Sequence, residues 1–157
     1  MNIETDLIQS EILTYPNPVL LVKANPIRNI DEEIQNYFKR MVRIMYQYDG
    51  IGLAAPQIGL SLRLIVVRRD NWIYKLINPK ISWTNSKAVN YEGCLSLPNE
   101  IWQVERAREV VVEGVDSAGK EQAILASDLL ARVFQHEIDH LDGIMINSIG
   151  TLIEQEE

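Results

Sequence analysis

The chain has 157 residues, 46% of them hydrophobic and 24% charged, with a formal net charge of -7 and a pI near 4.9. This size and composition predict one globular domain spanning residues 1–157. The acidic balance argues against a general attraction to nucleic acids or anionic membranes, and no apolar run approaches the ~18 residues of a membrane-spanning helix. We therefore expect no direct nucleic-acid partner and no membrane partner.

Cysteine usage and the start of the chain bear on the cellular compartment. Cys94 is the only cysteine, which excludes an internal disulfide. Residues 1–6 have neither the basic flank nor the apolar run of a secretory signal. Both features are typical of a reducing environment, and we expect a cytoplasmic protein.

In chain order, the first predicted elements are an extended segment and a helix. Prolines stiffen residues 15–20, which favours extended backbone there. A helix follows, with Asp31 as its N-cap, because apolar residues recur at intervals of three and four until Asp49 and Gly50. Core packing is the expected use of that apolar face.

Residues 50–59 contain three glycines and two alanines, so a backbone can approach closely there. A phosphate-binding loop would need Gly-x-Gly-x-x-Gly or a lysine after the last glycine, and neither is present. The sequence instead predicts a tight loop that delivers the side-chain amide of Gln57.

Short runs of β-favouring residues, separated by turn residues, dominate the rest of the chain. They cover residues 62–67, 72–77, 80–83, 104–115 and 122–125. A last helix is predicted to begin near Ser127 and Asp128 and to stop at Asp142 and Gly143. These elements predict an α+β protein in which small mixed or antiparallel sheets pack around a C-terminal helix.

That helix contains the motif His-Glu-x-x-His at residues 136–140. Positions i and i+4 share one helix face, so His136 and His140 can present their imidazoles to a single cation. Glu137 lies beside the cation and can take a proton from a water molecule held there. These are the only histidines of the chain. The motif therefore predicts a divalent-metal site.

Two histidines do not complete a tetrahedral site, so a third ligand is needed from elsewhere in the chain. Cys94 is the best candidate, since a thiolate binds a borderline-soft divalent metal well. A lone buried cysteine that acts as a small hydrophobic residue is the alternative. The residues alone leave this choice open.

Three separated segments resemble, in order and spacing, the motifs of the peptide deformylase family, and the similarity spans roughly residues 12–146. They are Gly-Ile-Gly-Leu-Ala-Ala-Pro-Gln at residues 50–57, Glu-Gly-Cys-Leu-Ser at 92–96 and Gln-His-Glu-Ile-Asp-His at 135–140. The resemblance implies that Cys94, His136 and His140 bind one divalent metal. Fe²⁺ is the usual ion of the family, and Zn²⁺, Ni²⁺ or Co²⁺ can occupy the same site.

The resemblance also implies an activity. Family members hydrolyse the N-formyl group from the initiator methionine of newly made polypeptides and release formate, so N-formyl-methionyl peptides are the expected substrates. Glu137 would act as general base and then general acid. The side-chain amide of Gln57 and the backbone N–H of Leu95 would hold the developing oxyanion.

Further residues receive supporting roles. Ile51, Leu129 and Val133 are the expected walls of an apolar pocket for the methionine side chain. Gly52 would let the substrate backbone pair with its loop as an added strand. The resemblance implies that Glu92 forms an ion pair, most plausibly with Arg106, that supports the site.

The chain departs from the family pattern in places that concern substrates and partners. Leu21 and Ile101 stand where other members carry arginine, so the preference for residues after formyl-methionine is open. Many bacterial members continue into a C-terminal helix that docks on the ribosome, but only nine residues follow Ser148. We expect that docking helix to be missing, so the sequence leaves open whether the ribosome is a partner. We also expect the acidic tail 149–157 to be frayed.

Two other functions are weighed against the deformylase. A His-Glu-x-x-His metalloprotease usually takes its third ligand downstream of the helix, but the 17 residues after His140 contain no histidine or cysteine. A non-catalytic metal-binding or interaction module would not need Glu137 and Gln57, and both are intact. A metallo-amidohydrolase is therefore the leading hypothesis.

Overall fold

The structure is a computed structural model that describes residues 11–156. The expected lack of a secretory signal concerns residues 1–6, which lie outside the described residues. The described α-helices are α1 (Glu32–Gln47), α2 (Asp128–Leu141) and α3 (Ile146–Ile149). The described strands are β1 (Gly52–Ala54), β2 (Leu64–Arg69), β3 (Trp72–Asn85), β4 (Ala88–Cys94), β5 (Leu97–Arg106), β6 (Glu109–Asp116), β7 (Glu121–Ser127) and β8 (Thr151–Gln155).

The strands form two antiparallel sheets. One has five strands in the order β1-β2-β3-β6-β7, and the other has three in the order β4-β5-β8. Helix and strand are segregated along much of the chain, which confirms the predicted α+β class. No helix of the described residues is long and apolar enough to span a membrane.

The five-stranded sheet is covered by helices on both faces. Successive side chains of a strand point to opposite faces, so Ile65 and Val67 pack into the cluster that contains Phe134 of α2. Leu64 and Val66 pack into the cluster that contains the apolar face of α1. Strand β2 is therefore buried on both faces of the sheet, and α2 packs directly against one of these faces.

The two long helices agree with the sequence predictions. Helix α1 has Asp31 at its N-cap, where the side chain accepts a hydrogen bond from the backbone N–H of Ile34 at 3.1 Å. Helix α2 has Ser127 and Asp142 as its flanking cap residues. Both helices bury one face, so their apolar side chains recur with the 3.6-residue period from which the helices were predicted.

Several strand predictions were wrong. Residues 104–115 do not form one strand, because the chain leaves the three-stranded sheet after Arg106 and enters the five-stranded sheet at Glu109. The separate strand predicted at residues 80–83 is the continuation of β3 past Pro79. There a register shift and the positive φ of Asn78 accommodate a proline that cannot donate a ladder hydrogen bond.

Two segments have more regular structure than the sequence predicted. One was predicted to be a loop and the other to be extended. The loop predicted at residues 50–59 contains strand β1 and a 3-10 turn over Ala55–Ile58. The segment predicted as extended at residues 15–20 includes a 3-10 turn over Pro18–Leu21, capped by the side chain of Asn17. Both turns begin with or contain proline, which fixes φ near the value that such turns need.

The prediction of a frayed tail at residues 149–157 was wrong for most of that segment. Residues Thr151–Gln155 form β8, which pairs with β5 so that Trp102 lies opposite Leu152. The physical reason is that β5 presents unpaired backbone N–H and C=O groups on that side, and a strand satisfies them whatever its charge. The tail thus belongs to the three-stranded sheet.

Candidate active site

The structure brings together the three predicted metal ligands. Cys94 lies at the end of β4, and His136 and His140 lie one turn apart on α2. Their ligand atoms all lie within 4.8 Å of one another, and Cys94 Sγ is 3.4 Å from His140 Nε2. One thiolate and two imidazoles are a donor set that suits a borderline divalent ion and leaves a fourth position open.

The electrostatics of the site also suit a cation. Burial lowers the pKa of His136, but the hydrogen bonds to Cys94 and Glu92 and the charge of Glu137 outweigh it and raise that pKa well above its usual value. The surroundings thus favour positive charge, which a metal ion supplies in place of a proton. Burial lowers the pKa of His140, which favours the neutral, metal-binding imidazole.

Glu92 orients the first histidine. His136 Nδ1 lies 2.8 Å from Glu92 Oε1, so the other ring nitrogen is left for a metal. Arg106 binds the same carboxylate through Nε at 2.8 Å and Nη2 at 3.0 Å, which is the contact expected from the resemblance. Burial raises the pKa of Glu92, but the hydrogen bonds from His136 and Arg106 together hold it well below its usual range.

Two members of this ion cluster were missed by sequence reasoning. Arg132 donates to Glu92 Oε2 at 2.7 Å, and Asp139 accepts from Arg106 Nη1. Arg132 sits one turn before His136 on α2, so the i, i+4 spacing that relates the two histidines could also have flagged it. A cation on the same helix face as His136 was the available signal.

Replacing Arg106 by methionine should strongly destabilise the fold. The substitution leaves Glu92 and Asp139 short of a buried cation, and breaking such a pair lowers the free energy of unfolding by about 3–5 kcal/mol. Urea unfolding followed by circular dichroism measures the loss. The matched control is Arg108→Met, whose exposed ion pair with Asp128 should contribute less than about 1 kcal/mol. Equal losses in the two variants would contradict the prediction.

Glu137 follows His136 on α2 and is buried. Its Oε1 atom has no hydrogen-bond partner among the described residues. Burial is the main cause that raises its pKa to about 7, against the opposing charge of His136. A carboxylate with a pKa near neutrality, one oxygen unpaired, is suited to exchange protons with a bound molecule.

Gln57 lies on the 3-10 turn with its amide fixed. Its Oε1 accepts a hydrogen bond from the backbone N–H of Ala54 at 3.0 Å, which directs Nε2 toward Ser96 Oγ at 3.1 Å and Cys94 Sγ at 3.9 Å. Leu95 follows Cys94 in the short turn between β4 and β5. Both predicted oxyanion donors thus lie beside Cys94, one of the candidate metal ligands.

A cavity of about 890 Å³ opens next to these groups. Its walls include all four residues predicted to bind substrate, namely Ile51, Gly52, Leu129 and Val133. Val133 is buried, whereas Ile51 and Leu129 are 41% and 65% exposed at the cavity mouth. Glu154 of β8 and Glu156, just after that strand, also line the cavity.

The close approach of Glu137 to Gly52 predicts that a single methyl group added at position 52 strongly lowers the activity. A Cβ at position 52 would lie 2.6 Å from Glu137 Oε2 and 2.9 Å from Val133 Cγ1. Gly52→Ala should therefore displace the carboxylate and lower kcat on an N-formyl-methionyl peptide by about 100-fold. Gly50→Ala should lose less, since its nearest contact is the flexible tip of Leu95 at 3.2 Å. Similar kcat values for the two variants would refute the prediction.

Comparison with known proteins identifies the family. Residues 9–152 match the family described as polypeptide deformylase. The chain is 44% identical over 147 residues to a peptide deformylase of Syntrophomonas wolfei, covering 92% of this chain and 97% of the relative. It is 47% identical over 137 residues to that of Halothermothrix orenii, covering 86% and 89%.

Solved structures agree with the sequence comparison. A peptide deformylase from Legionella pneumophila superposes with a TM-score of 0.86 and 38% identity, covering 88% of this chain and 83% of that one. A probable peptide deformylase from Synechococcus phage S-SSM7 superposes with a TM-score of 0.83 and 35% identity, covering 88% and 97%. Sequence and fold thus agree over most of the chain, which belongs to the peptide deformylase family.

Proposed function

We propose that this chain uses the cavity beside Cys94, His136 and His140 to hydrolyse the N-formyl group of formyl-methionine on newly made polypeptides, releasing formate. Membership of the family makes the chain a metal-dependent hydrolase that acts on N-formyl peptides. The observation that carries the proposal is that Cys94, His136, Glu137 and Gln57 line one cavity, with the third candidate ligand, His140, close to Cys94 and His136.

The metal would be held by Cys94, His136 and His140. When bound, it supplies a Lewis acid that polarises the formyl carbonyl and makes water more acidic. Thiolate and imidazole donors accept Fe²⁺, Zn²⁺, Ni²⁺ and Co²⁺. We propose Fe²⁺ as the ion used by this chain, and the support for that choice is the resemblance to the family.

Glu137 would carry the proton through the reaction. As water adds to the formyl carbon, the carboxylate takes one proton from it, and the partly apolar surroundings make that transfer favourable near neutral pH. When the C–N bond breaks, the same carboxyl group returns the proton to the departing amine. The products are formate and a peptide with a free N-terminus.

Gln57 and Leu95 would stabilise the charge that develops on the formyl oxygen. The side-chain Nε2 of Gln57 is preorganised, since its Oε1 is already bound to the backbone N–H of Ala54. The backbone N–H of Leu95 is the second proposed donor. Donors that are fixed before the reaction contribute more than donors that must reorient during it.

The substrate would lie along β1. This strand is the outer member of the five-stranded sheet, so its backbone can pair with an extended peptide. Glycine at position 52 permits the close approach, and Ile51, Leu129 and Val133 would contact the methionine side chain. Glu92 and Arg106 would support the site from behind His136.

The remaining proposals concern the chain as a whole. We propose that residues 1–157 form one catalytic domain that works in the cytoplasm on nascent chains. The ribosome is a further proposed partner, and the part of the described chain that follows α3 forms β8. A metalloprotease or a non-catalytic module finds no support in the comparisons.

The test is formate release from a formyl-Met-Ala-Ser peptide. Protein loaded anaerobically with Fe²⁺ is compared with protein loaded with Zn²⁺, Ni²⁺ or Co²⁺ and with metal-stripped protein. Formate that requires metal supports the function, and the highest kcat/KM with Fe²⁺ supports the choice of ion. Metal-loaded protein that releases no formate, or that cleaves internal peptide bonds instead, overturns the proposal.

A further inference from the structure

We propose that Arg132 is a positioning residue that fixes the distance between the helix-borne ligands, His136 and His140, and the strand-borne ligand, Cys94. The inference rests on the proposed function of these three residues as metal ligands. Arg132 touches none of the reacting atoms in this account. It acts through the arrangement of the elements that carry the ligands.

The ligands belong to two different parts of the fold. His136 and His140 lie on α2, which packs through Phe134 and its neighbours into the core of the five-stranded sheet. Cys94 lies at the end of β4, in the three-stranded sheet. The geometry of the metal site therefore depends on how α2 is docked on the three-stranded sheet.

Arg132 links α2 to two adjacent strands of that sheet, the central strand β5 and the edge strand β4. Its Nη1 donates to the carbonyl of Val104 on β5 at 2.9 Å, and its Nη2 donates to the carbonyl of Ala88 on β4 at 2.9 Å. The side chain is only 9% exposed. Because a guanidinium is planar and its donors are fixed relative to one another, these bonds set a position rather than merely attract a charge.

The same guanidinium orients the carboxylate behind His136. Arg132 Nη1 binds Glu92 Oε2 at 2.7 Å, while His136 Nδ1 binds Glu92 Oε1 at 2.8 Å. Arg132 and His136 are one helical turn apart and reach the two oxygens of one carboxyl group. Arg132 thus fixes both the sheet that carries Cys94 and the partner that orients His136.

Arg132→Met keeps the apolar stem and removes all of these bonds. Loss of a group that orients a metal ligand typically weakens metal binding by about 10–100-fold. We expect that loss for Co²⁺, together with a lower kcat and a KM for formyl-Met-Ala-Ser close to that of the parent. Arg132→Lys keeps the charge without the planar fork and should recover only part of the affinity.

The chain offers a matched control in Arg63→Met. Arg63 donates to the carbonyl of Leu141 at 2.9 Å and to Asp142 Oδ1 at 3.0 Å, so it also ties α2 to the rest of the fold through a carbonyl and a carboxylate. Among the described residues, its side-chain hydrogen bonds and ion pair reach neither Glu92 nor the three-stranded sheet. We expect this control to lose stability but to keep its Co²⁺ affinity within about threefold.

The experiment measures Co²⁺ dissociation constants by competition with a chelator, and records the absorption bands of the Co²⁺–thiolate site at a temperature where every variant is folded. Weaker binding and altered bands in Arg132→Met, with Arg63→Met like the parent, support the proposal. Parent-like affinity and bands in Arg132→Met overturn it, as does an equal loss in the control.

Two further points keep the test decisive. If Arg132→Met does not fold, Arg132→Lys is judged by the same criteria, and parent-like Co²⁺ affinity in that variant overturns the positional role. The readouts on Co²⁺ need no catalysis. Failure of the parent to release formate would therefore overturn the proposed function and leave the result for Arg132 standing.

Discussion

Glu137→Gln should lower kcat/KM on a formyl-methionyl peptide by about 10²–10⁴-fold, the range typical of a lost general acid–base group. Glutamine has nearly the same shape but cannot accept the proton of the attacking water. Glu137 is buried with its Oε1 unpaired among the described residues, so this oxygen is available to take the proton. Metal content should stay at the parental level, since Glu137 is not one of the proposed ligands.

The measurement combines formate release with metal analysis on the same preparations. Glu113→Gln is the control, because it removes a carboxylate that forms an ion pair with exposed Lys80 on the five-stranded sheet. It should leave kcat/KM within about twofold. A Glu137→Gln variant that retains a tenth or more of the parental kcat/KM would show that another group moves the proton.

Cys94→Ala should remove metal binding and, with it, the hydrolase activity. Two histidines alone supply too few ligands for a stable site, so the metal content should fall from about one equivalent per chain to a small fraction of that. Of the three proposed ligands, the thiolate is the one that does not come from α2. Its removal should therefore affect affinity more than the loss of a group outside the ligand set.

Elemental analysis after dialysis against a weak chelator measures this loss. Because Cys94 is the only cysteine, titration with a thiol reagent gives an independent readout on the parent. The thiol should react slowly in the presence of metal and faster after metal removal. Full metal retention by Cys94→Ala, or a thiol reactivity that ignores metal, would exclude Cys94 as a ligand.

The parts of the site that could be predicted are those encoded by local spacing. His136 and His140 are four residues apart on an amphipathic helix, and a helical period brings them together whatever the rest of the fold does. The two long helices were predicted for the same reason. Cys94 could be selected only with the help of the family resemblance, because His140, which it contacts in the structure, is 46 residues away in sequence.

The parts that escaped prediction depend on contacts distant in sequence. The role of Arg132 could not be predicted, because its partners on β4 and β5 are distant from it in sequence. The break between β5 and β6 is likewise invisible in the alternating pattern, since both strands have one buried face and only their sheets differ. Strand β8 was missed because its side chains are exposed and its order comes from backbone pairing with β5.

The division of the ligands between α2 and β4 has a thermodynamic consequence. An ion that needs both elements binds only the folded chain, and it stabilises that state by RT ln(1 + [M]/Kd), which is about 2.7 kcal/mol at a free concentration of 100 Kd. The midpoint of thermal unfolding should therefore climb with the logarithm of free metal concentration. Melting curves alone can then rank Fe²⁺, Zn²⁺, Ni²⁺ and Co²⁺ by affinity, and Cys94→Ala should flatten that dependence.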